Sequence, residues 1–319
     1  MLKNITMDSR LAYILVVVVA LLFGSSFVIG RIALDVGFSR AQVLLLRGVI
    51  FLFLITMFIA ISAIRAKSFK VFEKRDVLFG LIVGVVNFFA YFFQIWGLQL
   101  SPTNNAFLIS TNIILVPIFA FIIFKNIPSW KLFISLPVAI IGSLLITGLL
   151  TGVSLKIGDI FSLISAVFFA LNIVFVSAFL KRGASFKTLL FFIALIQTIG
   201  AFVMWSLMDG GFKPLSIDVH FMLGILIIFH LGAIVSFGAI GLQVYAQKYV
   251  SATSASMIIS LESVFAAVIT IIVWPKEFSY SLIGGGLLIM VAVLFLLFDF
   301  KKFKEKRENK LKKIKDNNI

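Results

Sequence analysis

Ten runs of about 20 apolar residues make up most of this chain, and they constrain its fold more than any other feature. A helix rises about 1.5 Å per residue, so about 20 apolar residues cross the hydrocarbon core of a bilayer. The runs are 11–30, 42–64, 77–99, 104–124, 131–150, 158–180, 187–208, 221–246, 252–274 and 280–299. The connections between them are too short to hold a separate domain. The sequence therefore predicts an all-α integral membrane protein with ten transmembrane helices.

The composition excludes several other classes of protein. Hydrophobic residues make up 61% and charged residues 13% of the 319, against about 45–50% and about 25% in a soluble domain. A transmembrane barrel would alternate apolar and polar residues, but stretches such as 14–23 are continuously apolar. The chain has no cysteine and two histidines, so disulfides and a histidine-rich metal site are not expected. It also lacks phosphate-loop and dinucleotide motifs, so we expect no cofactor and no ATP-driven pump.

The net charge of +15 indicates the orientation of the chain in the membrane once each lysine and arginine is assigned to one side of the predicted helices. With the N-terminus inside, 22 of the 28 lysines and arginines fall on the cytoplasmic side of the ten predicted helices. Both termini are therefore predicted to be cytoplasmic, in the cytoplasmic (inner) membrane. The polybasic tail, 300–319, is predicted to lie against anionic lipid rather than nucleic acid. A tail that binds a protein partner is the alternative.

An internal repeat divides the chain into two halves, 11–150 and 151–299. A shift of 150 residues places Ser110 on Ser260, Arg47 on Gln197 and Asn112 on Glu262. Each half holds five predicted helices, and because five is odd the second half enters the membrane from the opposite side. Inverted repeats of this kind are typical of transporters that expose a site at the middle of the membrane alternately to either face. A receptor has no need of that symmetry.

Five short motifs in this order resemble those of a known family. They are Leu22–Val28, Val43–Arg47, Ser110–Pro117, Gly158–Asp159 and Ser260–Ser263. Together they resemble the drug/metabolite transporter superfamily, specifically proteins with two EamA domains. Two positions depart from the family pattern: Ser26 stands where asparagine is usual, and Ser263 replaces a proline, which leaves a kink there in question. The resemblance implies ten helices and export of small metabolites, often amino acids.

Only three ionisable residues lie well inside the predicted helices: Arg47, His230 and Glu262. Such residues cost about 2.5–3.5 kcal/mol at a helix centre, so they persist mainly where they face a cavity or a partner. Glu262 is a candidate for proton coupling or amine binding, with a hydrogen bond between helices as the alternative. Arg47 is a gating candidate that could also snorkel to the outer surface. His230 is a candidate proton relay or, alternatively, a helix–helix hydrogen bond.

Neutral polar residues complete the predicted substrate cavity. Asn87, Tyr91 and Gln94 form one polar stripe on the third helix, which should face a wet interior rather than lipid. Asn112 lies at the middle of the fourth helix and Asn172 at the middle of the sixth. We expect helices 1, 3, 4, 6, 8 and 9 to build the cavity.

The sequence therefore predicts a secondary active transporter, not an enzyme. It would export a small metabolite, such as an amino acid or a drug-like amphiphile, by alternating access, with protons as the candidate coupling ion. An uptake carrier for a metabolite or cofactor is the alternative. A membrane-embedded lipid-modifying enzyme is a more remote one, because the few ionisable residues are scattered along the helices rather than clustered near a surface.

Overall fold

The structure, a computed structural model, describes residues 9–67, 72–125, 130–147, 156–208, 221–277 and 280–297. Of these residues 91% are helical and none is in a strand. The predicted polybasic tail at 300–319 and its contact with lipid lie outside the described residues.

Thirteen α-helices and two other helical segments follow each other along the described chain. They are α1 (Ser9–Asp35), α2 (Arg40–Ala66), α3 (Lys74–Leu100), α4 (Pro102–Ile109), α5 (Asn112–Phe124), α6 (Trp130–Thr147), α7 (Ile157–Lys181), α8 (Phe186–Met208), α9 (Phe221–Phe229), a π-helix (His230–Ala239), α10 (Ile240–Ala246), α11 (Ala252–Ile259), α12 (Leu261–Val273), a 3₁₀ turn (Pro275–Glu277) and α13 (Tyr280–Leu297).

These helices confirm the predicted all-α membrane fold. Eight helical stretches are long and apolar enough to cross a membrane, and two shorter apolar stretches lie at 130–145 and 283–295. All ten predicted runs fall on these stretches. Three of the spans are not single α-helices, which the sequence did not predict: α4 and α5 share the fourth, α9 to α10 the eighth, and α11 and α12 the ninth.

Local capping sets where several helices begin and end. Ser39 accepts a hydrogen bond from the Gln42 backbone N–H, and the Gln42 side chain accepts one from the Ser39 N–H, which starts α2. The Ser251 hydroxyl oxygen accepts from the Ser254 N–H at the start of α11. Gly37 and Gly183 have φ values of 100° and 85°, a conformation that glycine adopts without strain and that turns the chain after α1 and α7.

The helices pair in a pattern that repeats between the two halves. α2 packs on α8 and α6 packs on α13, and each pair consists of helices in equivalent places in the two repeats. The contact of α1 with α11 and α12 has its counterpart in the contact of α7 with α4 and α5. At the crossing of α2 and α8, Gly48 lies against Thr198, the residue 150 positions later. Equivalent helices of the two halves therefore pack directly against each other at this contact.

Candidate functional site

The fourth and ninth spans are interrupted at the same place in the repeat. α4 ends at Ile109 and α5 begins at Asn112, whereas α11 ends at Ile259 and α12 begins at Leu261. The chain does not open into a loop there, because backbone N–H groups just beyond the break bond to carbonyl oxygens three residues earlier instead of four. Each break is a tightened turn that changes the course of the helix.

Hydroxyl groups account for both interruptions. Four side chains donate to backbone carbonyl oxygens three or four residues earlier, over distances of 2.6 to 2.9 Å: Ser110, Thr111, Ser260 and Ser263. Hydroxyl groups that bond back to the helix in this way bend it. The ninth span is therefore interrupted at Ser260 although Ser263 stands where the family pattern has a proline.

The two breaks bring the repeat-equivalent residues Asn112 and Glu262 to one site. Each lies in the first two residues of the helix that follows its break, and both are buried, with Glu262 only 4% exposed. The Glu262 carboxylate lies within hydrogen-bonding reach of the Ser110 hydroxyl of the opposite half. The Oδ1 atom of Asn112 is buried and has no hydrogen-bond partner in the part of the chain that the structure describes, so it is an acceptor available to a ligand.

A cavity of about 370 Å³ lies where these two residues meet. It is lined by Phe23, Ser26, Phe27, Tyr91, Gln94, Ile109, Asn112, Phe169, Ile173, Gln243, Ile259 and Glu262. These residues come from spans 1, 3, 4, 6, 8 and 9, the six that we expected to build a cavity.

Four of the residues singled out from the sequence line this cavity: Tyr91, Gln94, Asn112 and Glu262. Gln243 lines it too and was missed, although a buried glutamine in an apolar span is itself a signal. The polar groups of the wall are one carboxylate, three primary amides and the hydroxyls of Ser26 and Tyr91, and the remaining wall is aromatic and aliphatic. Such a surface suits a small compound that has both an apolar part and a polar or cationic group.

Arg47 lies behind the cavity wall rather than at the membrane surface. Its guanidinium carbon is 4.2 Å from the centroid of the Tyr91 ring, and its Nε donates to the Ser236 hydroxyl at 2.9 Å. Its side chain therefore points into the bundle, and the expectation that it could snorkel outward is wrong. Ser236 belongs to the π-helix and donates to the Leu231 carbonyl oxygen, five residues earlier, at 2.9 Å.

His230, Asn87 and Asn172 do not line the cavity. The Ser25 hydroxyl donates to the Leu22 carbonyl oxygen at 2.8 Å and lies 3.0 Å from His230 Nε2, a contact that joins α1 to the π-helix. The Asn172 side chain donates to the Val83 carbonyl oxygen at 3.4 Å. Asn87 is buried one helical turn from Tyr91, and no group in the described ranges forms a hydrogen bond with its Oδ1 atom.

A buried polar cluster at the corner between α3 and α4 was not predicted as a unit. Asp159, at the start of α7, is 2% exposed and accepts hydrogen bonds from Ser101 at 2.5 Å, Asn104 at 3.3 Å and the Lys156 N–H at 2.9 Å. Beside it, Asn105 donates to the Ser162 hydroxyl at 2.8 Å. The cluster ties the α3–α4 corner to the second half of the molecule.

A second cavity, of about 450 Å³, lies on the side of the bundle where α1, α3 and α12 end. Arg31 and Trp274 line it, and the guanidinium carbon of Arg31 is 4.1 Å from the centroid of the Trp274 ring. Phe27 lines both cavities and is buried. Its ring therefore stands between the polar cavity and this end of the bundle.

Comparison with known proteins places this chain among transporters by its sequence and gives a solved structure of similar fold. The model of the EamA-like transporter family matches this sequence twice, over residues 10–148 and 156–298. An uncharacterized transporter of Archaeoglobus fulgidus is 27% identical over 279 residues, which cover 87% of this chain and 83% of that protein. A solved structure described as the crystal structure of a protein has a TM-score of 0.63 at 16% sequence identity, and the match covers 89% of this chain and 95% of that one. This last likeness concerns the fold alone.

Proposed function

The chain belongs to the EamA-like transporter family, and we propose from this premise that it is a secondary transporter that exports a small amphipathic metabolite across the cytoplasmic membrane. The family and the name of the Archaeoglobus relative point to a transporter rather than an enzyme. The apolar helices and the family identify a multi-pass membrane protein. The observation that carries the proposal is the buried cavity where the two interrupted spans meet, with Asn112 and Glu262 in its wall.

The repeat supports transport by alternating access. The cavity lies between the halves and draws its wall from both of them, so a rocking movement of one half against the other would expose it to either face in turn. The tightened turns at Ser110 and Ser260 are suitable hinges, because residues at the ends of helices can absorb changes in backbone angle. A single site then serves both sides of the membrane.

Glu262 supports coupling to protons. Among the described residues no basic side chain forms an ion pair with it. An uncompensated buried charge costs several kcal/mol, so the carboxylate favours being occupied, by a proton or by a cationic group of the substrate. Competition between these two occupants would exchange a proton for a substrate. The equivalent Asn112 has no charge, so one half of the molecule would carry the coupling.

The experiment is transport by the purified protein in liposomes under an imposed pH gradient. A panel of amino acids and hydrophobic amines is screened first, and a substrate is accepted when wild-type protein accumulates it. We expect Glu262→Gln to abolish accumulation driven by the gradient. Glu73→Gln, the same change at an exposed residue before α3, should leave accumulation as in wild type.

The direction and orientation are tested separately. The chain has no cysteine, so single cysteines at Lys74 and Lys276 can be labelled from one side with an impermeant maleimide. We expect Lys74→Cys to react only from the cytoplasm and Lys276→Cys only from outside. Proton coupling is refuted if Glu262→Gln transports the accepted substrate with unchanged pH dependence. Net inward movement of the substrate under the physiological gradient would make the protein an uptake carrier.

A further inference from the structure

The Arg47 guanidinium is buried in the bundle without a counterion. The residue is 5% exposed, and its Nη2 atom has no hydrogen-bond partner among the described residues. Its contacts are the Ser236 hydroxyl and the face and hydroxyl of Tyr91. Within the described part of the chain, no aspartate or glutamate forms an ion pair with it.

These neutral contacts do not compensate the charge. Arginine stays protonated in proteins, so it cannot become neutral when buried as a carboxylate can. One hydroxyl and one ring face replace only part of the hydration that a guanidinium loses on burial. An anion placed at the free Nη2 would remove this imbalance.

The position of Arg47 excludes solvation from the membrane surface. It lies seven residues after Arg40, the first residue of α2, which is about 10 Å along the helix. The side chain is held toward the interior by partners on two other spans, Ser236 of the π-helix and Tyr91 of α3. The wide turn of the π-helix directs the Ser236 hydroxyl to Arg47, and segments of this kind occur frequently at functional sites.

The repeat shows that the charge is not needed for packing. The residue equivalent to Arg47 is Gln197, which is fully buried on α8 next to Thr198, the residue that contacts Gly48 of α2. A neutral amide therefore fits the corresponding place at the α2–α8 crossing. A charge retained in one half and absent from the other indicates a ligand rather than a structural requirement.

From this geometry we infer that Arg47 binds a small monovalent anionic group behind Tyr91, either a chloride ion or a free carboxylate. The open N–H group of a planar guanidinium can donate a hydrogen bond to a carboxylate oxygen or to a halide. Because Tyr91 also lines the cavity, the anion would lie one ring away from the substrate. If the carboxylate belongs to the transported compound, the inference rests on the proposed function; if the anion is chloride, it stands independently.

Anion binding is measured on the full-length protein in detergent, without transport. The melting temperature is followed while chloride or acetate replaces isethionate at constant ionic strength. A ligand that binds only the folded protein stabilises it by mass action, so we expect a saturable increase in wild type. Arg47→Gln, which introduces the residue found at the equivalent position, should abolish the increase. Arg65→Gln, the same change at an exposed position, should retain it.

Two further measurements keep the inference testable if Arg47→Gln does not fold. Arg47→Lys keeps a point charge but not the guanidinium geometry, so it should bind the anion more weakly. A crystal of wild type soaked in bromide should show an anomalous peak within hydrogen-bonding distance of Arg47 Nη2. Saturation by chloride alone identifies an ion site, and saturation by acetate alone identifies a carboxylate site.

The inference is wrong if neither anion stabilises wild type, if Arg47→Gln responds as wild type does, or if bromide binds only elsewhere. Because the assay measures binding alone, this result does not depend on whether Glu262→Gln loses transport. The proposed function can fail while anion binding persists, and the reverse also holds.

Discussion

The two interrupted spans have the same backbone and different side chains. Both break at the serine that the 150-residue repeat aligns, Ser110 and Ser260, and both carry a buried polar residue two positions later. In one half that residue is Asn112, a neutral amide, and in the other it is Glu262, a carboxylate. The comparison shows that both halves keep the break in the helix, whereas only one of them carries a carboxylate beside it.

The corners of the bundle differ in the same way. At the corner between α3 and α4, Ser101 donates to the buried carboxylate of Asp159. The equivalent Ser251, between α10 and α11, is exposed and only caps its own helix. Ala255, the equivalent of Asn105, packs there with apolar neighbours. One corner is thus joined to the opposite half by a polar cluster and the other is not. We expect the corner without the cluster to separate more readily when the halves rock.

The largest expected effect is the difference in substrate binding between variants of Glu262 and of Asn112. Truncating the buried partner of a cationic ligand costs about 3–5 kcal/mol, so Glu262→Ala should weaken binding of an amine-containing substrate by about 10²–10³-fold. Asn112→Ala removes one neutral hydrogen bond, worth about 1 kcal/mol, and should weaken binding less than tenfold. Binding isotherms of the two purified variants with the accepted substrate measure the difference. Equal losses would mean that the two halves contribute equally and that the charge has no special role.

The next effect compares the corners. Ser101→Ala removes a hydrogen bond to a buried carboxylate and should lower the free energy of unfolding by about 1.5–3 kcal/mol. Ser251→Ala removes a helix cap and should cost about 1 kcal/mol. Both are the same substitution at equivalent positions, so unfolding in mixed micelles compares them directly. A Ser251→Ala variant that is the less stable of the two would contradict the assignment of the polar cluster to one corner.

A smaller effect compares two glycines. A Cβ atom at Gly24 would lie 2.7 Å from the Glu262 carbonyl oxygen and from Phe265 Cβ, so Gly24→Ala should push α1 away from α12 and cost about 1–3 kcal/mol. At Gly241, the position equivalent to Tyr91, the nearest atom is 3.9 Å away. Gly241→Ala should therefore be neutral or stabilise the helix by up to about 1 kcal/mol. Thermal unfolding checks the sign of each change, and a destabilised Gly241→Ala would show that its surroundings are tighter.

The smallest effect concerns the hydroxyl groups at the breaks. Ser110→Ala and Ser260→Ala remove side-chain bonds to backbone carbonyl oxygens at 2.9 and 2.7 Å. Since such bonds bend a helix but contribute little to its stability, we expect each variant to change the free energy of unfolding by less than about 1 kcal/mol. The break itself should straighten, which structures of the variants would show. A break unchanged in both variants would assign it to packing rather than to the hydroxyl groups.

Parts of the site could be predicted because their signals are periodic or repeated. Tyr91 and Gln94 belong to a stripe at helical spacing, and Asn112 and Glu262 are related by the repeat; all four line the cavity. Gln243 was missed although Gln247 follows it at helical spacing, four residues later, so this periodic signal was in the sequence and was not used.

His230 and Asn172 resemble the cavity residues in composition, yet their described bonds join helices outside the cavity wall. A polar residue in an apolar span indicates only that its side chain faces away from lipid. It does not report whether it faces a cavity or a neighbouring helix, because both environments satisfy its hydrogen bonds.

The sequence by itself determined that this chain is an all-helical membrane protein made of two similar halves. Run lengths and repeats along a chain are sufficient for this, because a bilayer satisfies the backbone only within helices and has a fixed thickness. Only the tertiary structure decided that the spans break at Ser110 and Ser260, that Arg47 turns inward to Tyr91, and that Glu262 meets Asn112 at one cavity. These features depend on which groups of distant segments come within hydrogen-bonding distance, and that information is absent from any single helix.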